Sequence, residues 1–404
     1  AGVDAIARVL DAIEAILMAE KMGVKVDLSV WMPLLAESQL SSLPYDTVLR
    51  GRLRPELGPD APEVVDALAA WPARAYLATD EDGTEVVLVY QLKAARPRTF
   101  PWVHVLLLLA TLVTTLGAGA LMAGEDPFGT RVLKLGGTSL PYPTTLEPAA
   151  LLLGVTFAFP FLGMLICHEM GHWFAARRHG VRATLPYFLP FPPYFSLIGS
   201  LGAFIRLRSP SVRRSVLFDI GAAGPLASLL VSVPLLAVGL GLSHAHGTEA
   251  SVETPFMIDF VGQRVWLGNG ALTHVLAGLF GPAPVGEAVI HLHPLALAGW
   301  LGLFVTALNL LPLGQLDGGH VLYSLFPARH ELLARLFLLA LVPLGLLWWG
   351  WWAWAGLVLF LHRGRVAHPP VIQPTPGIGP GRTAVGWFLI VTFLLTFVPV
   401  PIEL

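Results

Sequence analysis

The sequence predicts a polytopic α-helical membrane protein with six or seven transmembrane helices and a small N-terminal α+β cytoplasmic domain. Of its 404 residues, 55% are hydrophobic and only 13% are charged, about half the charged fraction of a soluble domain. So little charge cannot cover a water-soluble fold of this size, which excludes an ordinary cytosolic enzyme and a disordered protein. This composition instead implies a protein embedded in a lipid bilayer. The net charge of −2 creates no positive field that would attract phosphate groups, so we expect no nucleic acid as partner.

The beginning of the chain is its polar part. Residues 1–100 hold 10 of the 25 Lys and Arg residues. Pro62 marks a helix start, and the acidic turn at residues 80–83 predicts a hairpin between two strands. We therefore expect residues 1–98 to form a soluble accessory domain and residues 99–404 to form the transmembrane domain. No basic and then apolar leader is visible, so we expect no secretory signal.

Six apolar stretches follow, each a candidate for crossing the bilayer. A transmembrane helix needs about 20 apolar residues, and about 17 at the low end. The fifth stretch is long and contains Pro343 and Gly350, so it forms either one kinked helix or two short ones. The stretches cover residues 102–123, 148–176, 216–242, 294–313, 332–361 and 385–398.

Positive charge in the connecting segments orients these spans. Residues 177–214 carry seven Arg, whereas residues 243–293 carry only Arg264. Because cytoplasmic loops are enriched in Lys and Arg, we expect the N-terminal domain and the 177–214 segment on the cytoplasmic side. The second and fourth spans then both run toward that side. We expect a bacterial inner membrane, with a thylakoid membrane as the alternative.

The second span contains His168-Glu169-Met170-Gly171-His172, the pattern H-E-x-x-H on a helix. His168 and His172 are four residues apart and share one helix face, so both can ligate one zinc ion. Glu169 lies on the adjacent face, where it can take a proton from a water molecule as a general base. An ionisable group within a span costs roughly 2.5–3.5 kcal/mol, which favours a functional role over chance.

A catalytic zinc ion takes three protein ligands, and Asp317 is the candidate for the third. We expect Asp317 to end the fourth span, at the depth of His172, because both lie near the cytoplasmic ends of spans that run in the same direction. The acidic residues Glu249, Glu253 and Glu287 fall in the segment expected on the opposite side.

Asn309 lies eight residues before Asp317, about two helical turns. Its amide could face the same cavity and donate a hydrogen bond to an oxyanion, or it could simply join two helices. His320 could support the site or bond at a helix interface. Nine further histidines, His330 and His368 among them, show no paired helical spacing with a carboxylate and receive no role.

Together these residues resemble the site-2 protease family, the intramembrane zinc metalloproteases. The resemblance covers about residues 100–400. It implies one zinc ion per chain, held by the three predicted ligands, and a transmembrane protein as the substrate. The residues that carry the resemblance are His168, Glu169, His172, Asn309, Pro312, Asp317 and Gly318.

Three further segments are similar to the family. Residues 221–228 resemble its Gly-Pro helix motif, with Ser228 where the family often has Asn. Residues 185–193 and 199–206 resemble the plastid and cyanobacterial-type branch, and no stretch reads as a PDZ domain. We expect residues 197–207 to meet the substrate as an edge strand, since cleavage frees backbone groups of a helix that then need partners.

Two other functions remain open from the residues. A zinc-binding transporter or a non-catalytic membrane regulator would use the same His and Asp ligands but would not need Glu169. A membrane protease of the prenyl-protein type would need a downstream Glu ligand, and no suitable intramembrane Glu is present. The intact Glu169 favours the intramembrane zinc endopeptidase.

Overall fold

We describe the protein from a computed structural model, in which the chain forms two compact units. The first comprises Ala1–Thr99, Leu207–Val216 and Pro370–Gly377, and the second comprises Phe100–Arg206, Leu217–Pro369 and Ile378–Leu404. The residues described are 28–42, 46–72, 74–80, 83–91, 100–135, 138–208, 213–246, 253–361, 364, 366–368, 371 and 377–403.

The first unit contains an antiparallel sheet and a short helix. Its elements are β1 (Leu35–Ser42), β2 (Asp46–Leu53), α1 (Pro62–Ala70), β3 (Arg74–Asp80) and β4 (Gly83–Gln91). The strand order is β1-β2-β4-β3, and the pairing of Asp80 with Gly83 confirms the predicted hairpin. The helix begins at Pro62 as predicted. The guanidinium of Arg213 lies 4.9 Å from the ring centre of Tyr76, which ties residues 207–216 to this unit.

The second unit is mainly helical. In its described part, four apolar helical segments are long enough to cross a bilayer, namely Pro101–Met122, Pro148–Arg178, Arg214–Gly241 and His330–Leu347. The helices are α2 (Pro101–Met122), α3 (Pro148–Leu151), α4 (Val155–Arg178), α5 (Arg214–Gly241), α6 (Ala271–Phe280), α7 (Pro294–Asn309), α8 (Asp317–Leu325), α9 (His330–Leu347), α10 (Gly350–Leu361) and α11 (Pro380–Thr396).

Two of the predicted spans differ from the helices observed. The predicted span 294–313 is wrong at its end, because α7 stops at Asn309. Pro312 lacks an N–H and disfavours helical geometry in the residue before it, so the helix cannot continue into the loop 310–316. The long stretch 332–361 forms two helices, α9 and α10, because the backbone of Trp348 is extended between them.

Glycines bring α5 and α7 into close contact. A Cβ on Gly299 or Gly302 would overlap Leu236 or Ser232 of α5. Small residues let helix backbones approach closely when hydrophobic burial alone cannot drive their association in a bilayer. This packing fixes the C-terminal end of α7 beside the N-terminal half of α5.

A β-hairpin runs along α2 between the ends of the bundle. It consists of β7 (Tyr187–Pro190) and β8 (Ser200–Phe204), which pair antiparallel. At the start of α2, the imidazole Nδ1 of His104 donates to the carbonyl of Pro186 over 3.0 Å. Just beyond the end of α2, the hydroxyl of Tyr194 donates to the carboxylate of Asp126. The hairpin therefore runs along α2 from its start to the level of Gly117, which lies close to Pro193.

This path corrects the expectation for the 177–214 segment. We expected the whole segment on one side, but its middle part lies along α2 inside the helical unit, up to the level of Gly117. The seven Arg residues lie only at the two ends of the segment, and residues 183–205 carry no charge. The Arg residues therefore predict the location of the two ends of the segment only. They carry no information about the uncharged hairpin between those ends.

The strands that follow α5 form a separate sheet at the end of α5 away from Arg214. Its strands are β9 (His244–His246), β10 (Phe256–Phe260), β11 (Gln263–Leu267), β12 (Val289–His291) and β13 (Ile402–Glu403). Their order in the sheet is β13-β11-β10-β12-β9. A further hairpin pairs β5 (Arg131–Leu135) with β6 (Thr138–Tyr142).

Candidate metal centre

Three predicted ligands meet inside the helical unit. His168 and His172 lie one turn apart on α4, with their Nε2 atoms 3.1 Å apart. Oδ2 of Asp317 lies 3.3 Å from each of these nitrogens. The three side chains are at most 13% exposed. In the described part of the chain, no other three His, Cys, Asp or Glu side chains converge in this way.

Asp317 reaches this position by a route that we did not expect. It is the first residue of α8, not the end of the helix that carries Asn309. The positive end of the helix dipole favours a carboxylate at this place. A Cβ on Gly318 would overlap the carbonyl oxygen of Leu310, so this glycine lets the loop 310–316 fold back against the start of α8. Gly314 within that loop has φ +52°, a conformation that favours glycine.

Each histidine is oriented through its second ring nitrogen. Nδ1 of His172 lies 2.6 Å from the carbonyl oxygen of Ile220. A carbonyl only accepts, so Nδ1 carries the proton and the lone pair of Nε2 points into the site.

The Nδ1 atom of His168 also carries its proton, because the hydroxyl group beside it acts as an acceptor. Its Nδ1 lies 3.2 Å from Oγ of Ser228. That hydroxyl can give its single proton to the carbonyl of Pro225, at 3.1 Å, or to Oγ1 of Thr306, at 2.8 Å. Thr306 donates its own proton to the carbonyl of Gly302 over 2.6 Å. Ser228 therefore accepts from His168, and Nε2 of His168 also presents a lone pair.

The Gly-Pro motif of α5 provides the space for the histidines. A Cβ on Gly224 would overlap the imidazole of His172, and a Cβ on Gly171 would lie 2.6 Å from the carbonyl oxygen of Ala223. Pro225 cannot donate to the carbonyl of Gly221, which loosens the helix next to the site. Residues 221–228 are thus the surface against which the H-E-x-x-H turn packs.

Glu169 and Asn309 border the same cavity. Glu169 is 5% exposed, and its carboxylate lies near the backbone N–H of Ile205, just after β8. Nδ2 of Asn309 lies 3.3 Å from Nε2 of His168. Asn309 arrives here as the last residue of α7, so the predicted helical spacing to Asp317 was wrong although the two side chains share the site.

The cavity extends from these residues along α4 and α7. Its volume is about 320 Å³, and apolar side chains make up most of its wall. Residues 200–203 of β8 form one side, facing α7. In the described part of the chain β8 pairs only with β7, which confirms the predicted edge strand.

Sequence reasoning named Ser228 in the Gly-Pro motif but gave it no role at the centre. It missed the carbonyl of Ile220, which contacts His172, and the N–H of Ile205 near Glu169. A neutral His ligand needs an acceptor for its second N–H, and this requirement could have drawn attention to Ser228 within the Gly-Pro motif. The ring of His320, for which we left a supporting role open, instead bonds to another histidine. Its Nδ1 lies 2.9 Å from Nε2 of His368.

The fold and the site define a polytopic helical membrane protein with an H-E-x-x-H metal centre. Residues 156–345 match the model of Peptidase family M50. The predicted resemblance to the site-2 proteases is thereby confirmed.

The curated relatives point to the plastid-type branch. The chain is 34% identical over 281 residues to "Probable zinc metalloprotease EGY1, chloroplastic" from Arabidopsis thaliana, across 65% of this chain and 47% of that protein. It is 30% identical over 311 residues to "Probable zinc metalloprotease EGY3, chloroplastic" from Oryza sativa subsp. indica, across 74% of this chain and 48% of that protein. The chain thus spans about half the length of these relatives. No solved structure matches it.

Proposed function

We propose that the protein is an intramembrane zinc endopeptidase that hydrolyses peptide bonds within or near transmembrane segments of other proteins. One observation carries the proposal. Two imidazole nitrogens and a carboxylate oxygen, all with lone pairs, lie 3.1–3.3 Å apart, and hydrogen bonds elsewhere hold both ring protons. Three such acceptors can share only a cation. The relatives named as zinc metalloproteases support the choice of zinc.

The donor set and its spacing fit zinc. Zinc–nitrogen and zinc–oxygen bonds of about 2.0–2.1 Å at tetrahedral angles set neighbouring ligand atoms roughly 3.3 Å apart. His168, His172 and Asp317 would hold one zinc ion per chain. When bound, zinc supplies Lewis-acid catalysis, which activates water as a nucleophile and polarises a carbonyl.

The chain's own residues supply the proton transfer. Glu169 takes a proton from the attacking water and later gives it to the amide nitrogen that leaves. The N–H of Ile205 lies near its carboxylate, on the side of β8. The Asn309 amide is within reach of the ligands and donates to the oxygen that becomes negative in the transition state.

The substrate is a transmembrane segment of another protein, unwound at the scissile bond. A helix buries its peptide carbonyls in its own hydrogen bonds, so the freed groups need new partners in a place with little water. Strand β8 offers an edge along the cavity, and Leu201 on it is 62% exposed. Adding a substrate strand to this edge gives the free backbone N–H and C=O groups of both chains hydrogen-bond partners.

The edge-strand role is tested by a proline. Ala203→Pro removes a backbone N–H from β8 and should lower the cleavage rate about 10-fold, with zinc content unchanged, because none of the ligands lies on this strand. Cleavage and zinc content are measured on the same purified sample. Normal cleavage by this variant would refute substrate pairing with β8.

The topology follows from the same proposal. Six or seven helices cross the bilayer, and the N-terminal domain (residues 1–98) and the active-site end face the cytoplasm or the plastid stroma. Residues 99–404 form the protease domain. A bacterial inner membrane is the proposed location, with the thylakoid as the alternative that the chloroplastic relatives support.

The alternative function, a zinc-binding transporter or regulator, lacks a specific observation in its favour. Neither a transporter nor a regulator needs a buried carboxylate beside the ligands, near an N–H of the cavity wall. The buried Glu169 therefore separates the two functions.

Glu169→Gln tests the proposal. The amide keeps the size of the side chain but cannot accept the proton of water, so activity on a model membrane substrate should fall at least ~100-fold. Zinc content should stay close to one per chain. Glu287→Gln, which removes a carboxylate outside the site, is the matched control and should cleave normally. Normal cleavage by Glu169→Gln would exclude the protease and favour the transporter or regulator.

A further inference from the structure

A short segment after α10 contacts the elements that present Asp317. The carbonyl oxygen of Val366 accepts from the backbone N–H of Gly314 over 2.8 Å. Gly314 belongs to the loop 310–316 between α7 and α8. The segment therefore fixes this loop from outside, at a point three residues before Asp317.

His368, two residues further on, makes three more contacts. Its Nε2 lies 2.9 Å from Nδ1 of His320 on α8. Its backbone N–H donates to Nδ1 of His330 at the start of α9, over 3.4 Å. Its ring stacks on that of Tyr323, with ring centres 4.7 Å apart at an angle of 26°. His368 thus contacts α8 through its imidazole and α9 through its backbone N–H.

The contacts matter because α8 cannot hold itself in place. It has only nine residues, and a helix of that length is marginal on its own. The ligand is its first residue, and a small rotation of α8 would move the carboxylate away from the histidines on α4. The start of α8 must therefore be held by its neighbours.

The hydrogen bond between the two rings needs a shared proton. One ring donates and the other accepts, so at least one imidazole must be neutral. If both were protonated, two N–H groups would face each other.

We propose that His368 is a positioning residue, which acts through His320 and the loop 310–316 to hold Asp317 at the metal centre. The proposal rests on the proposed zinc protease for the identity of the site. It gives a histidine outside the predicted ligand set a role in metal retention and turnover.

The experiment compares His368→Ala and His368→Gln in the full-length protein. Gln places an amide near the former Nε2 and can still bond to His320. We expect His368→Ala to release zinc to a chelator about 10-fold faster and to lower kcat to a similar extent, with KM nearly unchanged. His368→Gln should restore most of both. His291→Ala is the matched control, because His291 also makes a side-chain bond, to Asp259 over 3.1 Å, but at the far sheet.

Rescue by glutamine and the split between kcat and KM separate positioning from mere stability, because a general loss of stability would not be reversed by restoring one side-chain hydrogen bond. Zinc release needs no substrate, so it tests the proposal even if the wild type cleaves nothing, which would refute the proposed function alone. Equal zinc release and kcat in the wild type and His368→Ala would overturn the proposal, as would a failure of His368→Gln to restore either.

Discussion

The two halves of the metal centre are built in different ways. His168 and His172 occupy one turn in the interior of a 24-residue helix, so their spacing follows from helix geometry alone. Asp317 begins a nine-residue helix after a loop that contains a glycine at φ +52°. The histidine half is therefore rigid by local structure, whereas the carboxylate half depends on tertiary contacts.

This difference predicts an order among the ligand variants, which have the largest effects. Asp317→Ala leaves the Nε2 atoms of His168 and His172 preorganised on one turn of α4. His172→Ala instead leaves one ligand atom on α4, from His168, and one on α8, from Asp317. Both should lose activity to background. We expect zinc affinity to fall at least ~10-fold in Asp317→Ala and further still in His172→Ala.

Zinc affinity is measured by competition with a chelator on the purified proteins. Wild-type affinity in Asp317→Ala would show that Asp317 is no ligand. Equal losses in the two variants would show that the helix turn gives the histidine pair no advantage.

The same difference explains what the sequence could predict. H-E-x-x-H within one span specifies two side chains on one helix face, and α4 contains it without interruption. The position of Asp317 was inferred from a helix that ends earlier, at Asn309. The uncharged hairpin of β7 and β8 gave no charge signal. Contacts such as Ser228 to His168 join residues 60 positions apart, and no local period of the sequence encodes them.

Glycine substitutions probe each half at its tightest point and should have intermediate effects. Gly224→Ala would push a methyl group against the imidazole of His172, and Gly318→Ala would push one against the carbonyl of Leu310. We expect each to lower zinc affinity about 10- to 100-fold, because the ligand must shift. Gly163→Ala on α4 is the control, since a Cβ there meets nothing within 4 Å.

The comparison also predicts where the two glycine variants differ. Gly224→Ala displaces the imidazole of His172, which lies on a rigid helix. We therefore expect this variant to lose zinc while its zinc-free form unfolds at the wild-type temperature. Gly318→Ala disturbs the loop and the start of α8, so thermal unfolding of the zinc-free protein should change as well. A variant Gly224→Ala with full zinc affinity would contradict the close packing of α5 on His172.

Ser228→Ala should have the smallest effect, since it removes a supporting bond and keeps all three ligands. His168 then has no acceptor for its Nδ1 proton, so the ring loses its preferred tautomer and orientation. Loss of such a partner lowers metal affinity by about 10-fold or more. We expect a decrease near that lower limit and a parallel decrease in the cleavage rate, measured on the same preparation.

The control lies one turn further along the same helix. Ser232 is also buried, but its hydroxyl finds no hydrogen-bond partner among the residues that the structure describes, so Ser232→Ala removes an oxygen of the same kind without freeing a ring nitrogen. Zinc affinity should then be unchanged. Equal effects of the two substitutions would mean that Ser228 matters only for helix packing. A loss confined to Ser228→Ala would show that even the rigid half of the centre needs a tertiary contact to set its tautomer.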